Sequence, residues 1–341
     1  MKKHTLKIAG LFLATAATVL TTRADIALAP NLSTYGYAAG FLEFNKIGGG
    51  VAGTNSNTGM DIRAAKLGLA FNTDPITVKM SLYDASSKLY LLEANATYNT
   101  GQDWIFTAGR FQSWLGYEPF DIPNGNFITN GNEIPVLIPN FHEGVRAENT
   151  IGKNTFGVAL VDSIYNGYDG NGKVTPFRGT GRLSDGFGFE IHYGYNGGAL
   201  TAGATAAYQN SRGFNRIYPL DIYNVDLWAQ YIIKKTTAAA EVFWQHTEDV
   251  GVKTNSYYGL ISVKQQISDP LAIALRLSAG NIRNNGSTSY WKVSLAPTYA
   301  VNANLGVTAE INYTKYNNGN FPTAYGRGNN VYAGVQACFK F

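Results

Sequence analysis

The sequence offers few side chains that could act in catalysis. Beyond residue 24 it contains three histidines, His142, His192 and His246. His142 is followed by Glu143, and His192 lies two residues after Glu190. A hydrolase would need such a histidine aligned with a nucleophile or a metal ion, and neither G-x-S-x-G nor H-E-x-x-H occurs in the chain. We therefore predict that the protein is not an enzyme.

Motifs for metals and cofactors are equally sparse. Cys338 is the only cysteine, so neither an intramolecular disulfide nor a cysteine-based metal site can form. The stretch D-G-N-G-K at 169–173 has the composition of a calcium loop, but no Glu stands at the twelfth position that such a loop requires. The sequence therefore predicts no cofactor.

Charged side chains instead occur within alternating stretches. Residues 185–196, D-G-F-G-F-E-I-H-Y-G-Y-N, place aromatic and aliphatic side chains at odd positions from 187 on, and Glu190, His192 and glycines at even ones. The same period of two runs through 222–233, 271–280 and 304–314. This period indicates β-strands with two unlike faces, so the charged side chains would project from one face of a sheet.

Sixteen segments show this alternation, and several approach the ~10 residues that a tilted strand needs to cross a bilayer. They lie near 33–45, 61–72, 75–84, 88–99, 103–112, 144–152, 155–165, 185–196, 199–210, 222–233, 236–247, 255–266, 270–281, 288–300, 303–315 and 330–341.

The connections between these segments alternate in length. The short ones carry the Gly, Pro, Asn and Asp of tight turns: 72–75, 99–103, 151–154, 196–198, 233–235, 268–270 and 301–304. The ones between them are mostly longer: 46–60, 113–143, 166–184, 211–221, 248–254, 282–287 and 316–329. Short turns at one end and long loops at the other are typical of an outer-membrane barrel.

A secreted soluble β-sandwich is the alternative fold. Its apolar face would be filled by Leu, Val and Ile, whereas here that face includes many Ala, Gly and Tyr residues. Tyr and Trp also collect near the segment ends, where an interfacial girdle belongs. We therefore predict an all-β fold, a transmembrane antiparallel up-and-down β-barrel of about 16 strands, with 14 to 18 left open.

Such a barrel encloses an aqueous channel. The alternate strand positions that carry the charged residues would line it. The predicted pore-lining residues are Lys66, Lys79, Glu93, Arg146, Glu148, Glu190, Asp226, Glu241, Lys264, Arg276, Lys292 and Glu310, with Lys340 near the end of the chain. Positive and negative charges are nearly balanced in this set, so the sign of ion selectivity is left open.

The longest connection, 113–143, is a candidate constriction. Its four prolines exclude a helix or a central strand, and its aromatic and aliphatic residues argue against disorder. One interpretation is a cap or a subunit contact outside the barrel. The sharper hypothesis is that 113–143 folds into the lumen and brings Glu118, Asp121 or Glu133 close to the narrowest point.

The same region resembles a known family. A-G-R-F-Q-S-W-L-G-Y-E-P-F-D-I-P-N-G-N-F is similar to a block of the OmpL-like β-barrel porins, G-x-[FY]-x-x-x-x-G-x-E followed by Asn-rich sequence. The matching positions are Gly109, Phe111, Gly116, Glu118 and Asn126. H-E-G-V-R-A-E-N and residues 156–171 resemble that family's next strands. The resemblance implies a porin of the bacterial outer membrane.

The amino terminus indicates export. A basic head precedes an apolar run at 8–20, and Thr22 and Ala24 occupy the positions that a signal peptidase reads. We predict a signal peptide over 1–24, cleavage after Ala24 and a barrel over 25–341. Four of the 27 Lys and Arg lie in 1–24, which leaves 23 basic against 23 acidic residues and no basic surface for nucleic acid.

The chain ends on V-Y-A-G-V-Q-A-C-F-K-F, residues 331–341, with Phe341 on the apolar parity. We predict that this is the closing strand and that Phe341 is an assembly signal for the barrel-insertion machinery. The predicted function is passive diffusion of small hydrophilic solutes or ions across the outer membrane, with lipid around the barrel and homo-oligomers left open. The alternative is a closed structural or adhesive barrel whose surface loops bind a partner.

Overall fold

A computed structural model describes residues 25–341 except 51–52, 86–87, 135–136, 165–185, 212–219, 250, 285 and 318–327. The strands are β1 (Ile26–Ala29), β2 (Leu32–Gly50), β3 (Gly53–Thr73), β4 (Ile76–Ala85), β5 (Lys88–Asn99), β6 (Trp104–Gln112), β7 (Phe141–Ile151), β8 (Asn154–Val161), β9 (Gly186–Asn196), β10 (Leu200–Ser211), β11 (Leu220–Ile233), β12 (Thr236–Asp249), β13 (Val252–Gln266), β14 (Leu271–Arg283), β15 (Ser287–Ala300), β16 (Leu305–Asn317) and β17 (Gly328–Lys340).

Strands β2 to β17 form one closed antiparallel sheet. Each pairs with its two neighbours along the chain, and β17 closes the ring by pairing with β2, for example Val335 with Leu42. The predicted sixteen-stranded barrel is therefore confirmed, and each predicted segment overlaps one strand. The short strand β1 was not predicted because its four residues, paired with the start of β2, are too few to show a period.

The distribution of side chains is the reverse of that in a soluble protein: apolar residues cover the outer surface, and polar residues lie inside. On β11, Tyr223, Val225 and Leu227 are exposed on the outer surface, whereas Asn224 and Asp226 are buried inside the ring. The other strands follow the same rule, because each successive residue points to the opposite face of the sheet. The outer surface is thus an apolar band, and the inner surface carries the polar and charged groups.

Three predicted long connections are wrong. The segment 46–60 continues β2 and β3 as a hairpin that pairs up to Gly50 and Gly53, and β12 and β13 pair as far as Asp249 and Val252. At 282–287, β14 and β15 pair as far as Arg283 and Ser287. These strand ends are rich in Gly, Asn, Ser and Thr, so they lack apolar alternation, but the backbone ladder does not require it.

Helical structure is slight within the described residues. They include a single 3₁₀ turn, Ile122–Asn124, in the connection between β6 and β7. Over the same residues, no helix combines the length and apolar character needed to span a bilayer.

Ring closure can be tested with the native cysteine. Phe341 N donates to Gly36 O (3.0 Å), and Gly36 N donates to Phe341 O (2.9 Å). Hydrogen-bonded and non-hydrogen-bonded pairs alternate along the ladder, so Ala39 and Cys338 form a non-hydrogen-bonded pair. The Cα atoms of such pairs lie about 4.5 Å apart, within the range for disulfides.

We expect Ala39→Cys to form a disulfide with Cys338 after mild oxidation of the folded barrel. The measurement is loss of both thiols to maleimide labelling after denaturation. Ala38→Cys is the matched control, because Ala38 pairs with Phe339 on the outer face and its thiol should stay free. Full labelling of both thiols in oxidised Ala39→Cys would contradict closure in this register.

Candidate functional site

The connection between β6 and β7, residues 113–140, is called here the inner segment. Its two ends meet where Ser113 N donates to Asn140 O (2.9 Å). Between them its apolar side chains are buried, among them Trp114, Tyr117 and Leu137. The segment contacts inward-facing side chains on strands from most of the ring, so its contacts fall into groups by strand.

The first group lies on β11 and β12. Gly116 N donates to Asp226 Oδ2 (2.7 Å) and Tyr117 N donates to Glu241 Oε1 (2.8 Å). Hydrogen bonds from backbone amides to carboxylates are stronger than those between neutral groups. Gly116 has φ +95°, a conformation that favours glycine, and the turn directs both amides at the wall.

The Tyr117 side chain strengthens this contact. Its hydroxyl donates to Gln230 Oε1 (2.9 Å) on β11, and its ring lies against Trp228 with centroids 5.8 Å apart. Burial raises the pKa of the Tyr117 hydroxyl, with a further contribution from the charge of Glu118, so the group stays protonated and remains a donor.

The second group centres on Glu310 of β16, which is 3% exposed. One carboxylate oxygen accepts from Ile128 N (2.6 Å) and Thr129 N (2.8 Å), and the other accepts from Thr129 Oγ1 (2.7 Å). A buried carboxylate is costly unless its lone pairs are satisfied. Here residues 128–129 supply three donors to it.

Two wall cations hold the rest of this half of the segment. Arg276 on β14 pairs with Glu118, donates to Thr129 O (2.8 Å), and lies over the Phe127 ring at 4.1 Å. Lys292 on β15 donates to Glu133 Oε1 (2.7 Å) and to the backbone of Asn130. Charge, hydrogen bonding and a cation–π contact therefore act together at Arg276.

The third group lies on β3, β4 and β5, with Phe141 at the start of β7. Lys66 contacts Asp121 at 3.1 Å and Glu93 at 2.9 Å, and Phe120 packs against Tyr83 and Phe141. Each acidic residue predicted for the constriction thus pairs with a cation predicted for the pore lining. The pairs are Glu118 with Arg276, Asp121 with Lys66, and Glu133 with Lys292.

The base of the inner segment is held by residues that the sequence did not place together. His142, which is 1% exposed, contacts Glu190 Oε1 (2.9 Å) and Ser163 O (3.0 Å), and Ser113 Oγ donates to the same Glu190 oxygen (3.1 Å). Trp114 stacks on His192 with centroids 5.1 Å apart. The sequence feature that could have indicated such contacts is the presence of neutral polar residues at the strand positions that face inward.

The remaining predicted pore residues lie on the same inward face. Arg146 contacts Glu148 (3.3 Å) and lies over the Phe111 ring. Lys79 and Lys264 are half-buried. That any of these residues lines a conducting path stays a prediction; the structure adds that most of the predicted set contacts the inner segment or its base.

The hydrogen bonds to Glu310 should slow amide exchange in the part of the inner segment that donates them. Glu310→Gln removes an anionic acceptor and turns an NH₂ group toward the donors of residues 128–129. We expect amide exchange in the peptide spanning 126–133 to accelerate by about 10- to 100-fold, because a hydrogen bond to a charged group contributes about 1.5–3 kcal/mol. Hydrogen–deuterium exchange with mass spectrometry measures this.

The matched control is Glu248→Gln. Glu248 pairs with Lys253 at 3.4 Å where both side chains are well exposed, so its removal should leave the 126–133 peptide unchanged. Equal exchange in wild type and Glu310→Gln would show that Glu310 does not hold the segment.

Solved structures similar to this one are outer-membrane proteins. An anion-selective porin from Comamonas acidovorans is 11% identical over 91% of this chain and 99% of its own, with a TM-score of 0.69. OmpT of Vibrio cholerae in its trimer form is 11% identical over 91% and 99%, with a TM-score of 0.68. OmpF of Salmonella typhi, in complex with daunomycin, is 16% identical over 93% and 100%, with a TM-score of 0.64. At these identities the likeness concerns the fold.

No curated protein sequence matches the chain. A family model does, the one described as "Putative beta-barrel porin-2, OmpL-like", and it covers residues 35–341. That range includes all sixteen strands of the ring apart from the first residues of β2, and the whole inner segment. The chain therefore belongs to this OmpL-like porin family and is a diffusion channel of the bacterial outer membrane.

Proposed function

We propose that the inner segment narrows this channel and limits diffusion to small hydrophilic solutes and ions. The observation that carries the proposal is the set of three ion pairs joining Glu118, Asp121 and Glu133 to Arg276, Lys66 and Lys292. The three cations lie on β14, β3 and β15, and the backbone contacts on β11, β12 and β16 come from other parts of the ring. Anchoring on several sides of the ring supports a segment that crosses the interior.

We further propose that the barrel is a channel without catalytic activity. His142 is enclosed between Glu190 and Ser163, His192 contacts Thr205 Oγ1 (2.9 Å) beneath Trp114, and His246 on the outer face contacts Asn255 Oδ1 (3.0 Å). His142 and His246 contact carboxylate, carbonyl and amide oxygens. The Thr205 hydroxyl beside His192 is buried and also donates to Trp114 O (3.4 Å), so it is not open to a substrate. These contacts support a structural use of all three histidines.

Removing most of the inner segment tests the constriction. We expect a barrel lacking residues 120–138, rejoined through two glycines, to show severalfold higher single-channel conductance in planar bilayers. Liposomes containing it should also admit larger sugars than wild-type liposomes. The physical reason is that the lumen of a sixteen-stranded barrel is wide enough for water when nothing fills it.

The control for folding is the change of gel mobility on heating, which must match wild type. The double variant Glu248→Gln/Lys253→Gln, at an exposed pair on the outer face, should conduct like wild type. A folded deletion variant with unchanged conductance would rule out the constriction. A wild-type barrel that excludes both ions and small sugars would instead favour the closed adhesive barrel.

We also propose how the barrel is exported, inserted and surrounded by lipid. The apolar outer band faces lipid, and export depends on a signal peptide cleaved after Ala24; residues 1–24 lie outside the described part of the chain. Phe341 serves as the recognition signal for the barrel-insertion machinery. Its support is the position of Phe341, whose backbone exchanges two hydrogen bonds with Gly36 and extends the seam between β17 and β2. Whether barrels associate with each other stays a prediction.

We expect Phe341→Ser to lower the amount of heat-modifiable barrel in the outer membrane, because the terminal ring is lost while the backbone pairing with Gly36 is kept. Quantitative blotting of membrane fractions measures it. Phe339→Ser, two residues earlier on the same parity, is the matched control and should have the smaller effect. Equal assembly of Phe341→Ser and wild type would contradict the role of a terminal signal.

A further inference from the structure

The inner segment leaves a cleft against one part of the wall. Residues 117–119, 125–127 and 129–130 line it from the inner segment, and Leu260 and Ser262 of β13 line it from the wall. The hydrogen bonds described above attach the segment to β11 and β12 on one side of β13 and to β14, β15 and β16 on the other. The cleft therefore lies between two sets of anchors.

The lining of the cleft is mostly neutral. Tyr117, Asn126, Asn130 and Ser262 contribute polar groups, and the charge of Glu118 is paired with Arg276. Neutral polar walls can replace part of a solute's hydration without fixing it in place. Leu260 and Ser262 are nearly buried, so the cleft is narrow.

Lys264 follows on the inward face of β13, two residues beyond Ser262 toward the short turns. Its cross-strand neighbours are Thr237 on β12 and Ala274 on β14, both uncharged. Lys264 is half-buried, and no carboxylate of the described residues forms an ion pair with it. It differs in this from Lys66, Arg276 and Lys292, whose charges are matched by acidic partners.

We propose that solutes cross the constriction along β13, through the cleft at Ser262, and that the unmatched charge of Lys264 makes this passage favour small anions. The inference rests on the proposed function, because it requires the inner segment to close the rest of the lumen. An uncompensated charge beside a narrow passage raises the local concentration of the opposite ion and lowers that of the like ion.

The position of the passage is tested in a Cys338→Ser background, which leaves no native thiol. Ser262→Cys and Asn130→Cys place a thiol on the wall and on the segment side of the cleft. We expect a methanethiosulfonate reagent carrying a sulfonate to reduce the current of both variants in planar bilayers. Ser81→Cys is the control: Ser81 is a buried inward serine on β4 that does not line the cleft, and labelling at this position should leave the current unchanged.

The charge preference is tested by the reversal potential in a KCl gradient. Wild type should pass Cl⁻ more readily than K⁺, Lys264→Gln should lower that permeability ratio, and Lys264→Glu should invert it. The expected change is about fivefold per unit charge, from the energy of about 1 kcal/mol between charges 4 Å apart in water. Lys79→Gln, an inward lysine on β4, should change the ratio less.

The outcomes separate the two proposals. If deleting 120–138 raises the conductance but labelling at Ser262 and Asn130 leaves the current intact, the passage along β13 is wrong and the constriction stands. A ratio that Lys264→Gln leaves unchanged, or that Lys79→Gln changes more, overturns the assignment of Lys264. A folded deletion variant with wild-type conductance removes the proposed function itself.

Discussion

The fold depends on the rule that no backbone N–H or C=O may face lipid without a partner. A sheet in a bilayer can satisfy that rule only by closing on itself, which is what the pairing of β17 with β2 achieves. Closure of the sheet also determines which residues can face outward and which inward. Because side chains alternate, an apolar outer face obliges the other face to point into an enclosed space, and polar residues are the natural occupants of that space.

The enclosed space creates a second constraint. Charged side chains that project inward either stay in contact with water or need partners, since desolvation of an unpaired charge costs several kcal/mol. In this protein the partners of several come from a single connection. Glu241 and Glu310 accept backbone amides, while Arg276 and Lys292 receive carboxylates and carbonyls. The charged wall residues hold the inner segment in position, and the inner segment in turn supplies the partners that these charges need.

The sequence predicts much of this and misses the rest for identifiable reasons. Strand number, direction and sidedness follow from a local period of two, which residues 223–227 of β11 show clearly. The hairpin extension at 46–60 was missed because Gly and Asn carry no periodic signal above the apolar band. The charged residues on both partners could be named, but their pairing could not. Glu118 meets Arg276 across 158 positions of chain, and nothing local encodes that distance.

Those separations have a consequence for the order in which the molecule can form. Gly116 and Asp226 are 110 positions apart, and Ile128 and Glu310 are 182 apart, so many of the wall residues that receive the inner segment lie far downstream of it. When β6 and β7 first pair, the connection between them can contact the earlier strands β3 and β4, through Lys66 and Tyr83. Its contacts with Asp226, Glu241, Arg276, Lys292 and Glu310 exist only once β11 to β16 are in place. The proposed constriction is therefore completed late, after the wall that holds it.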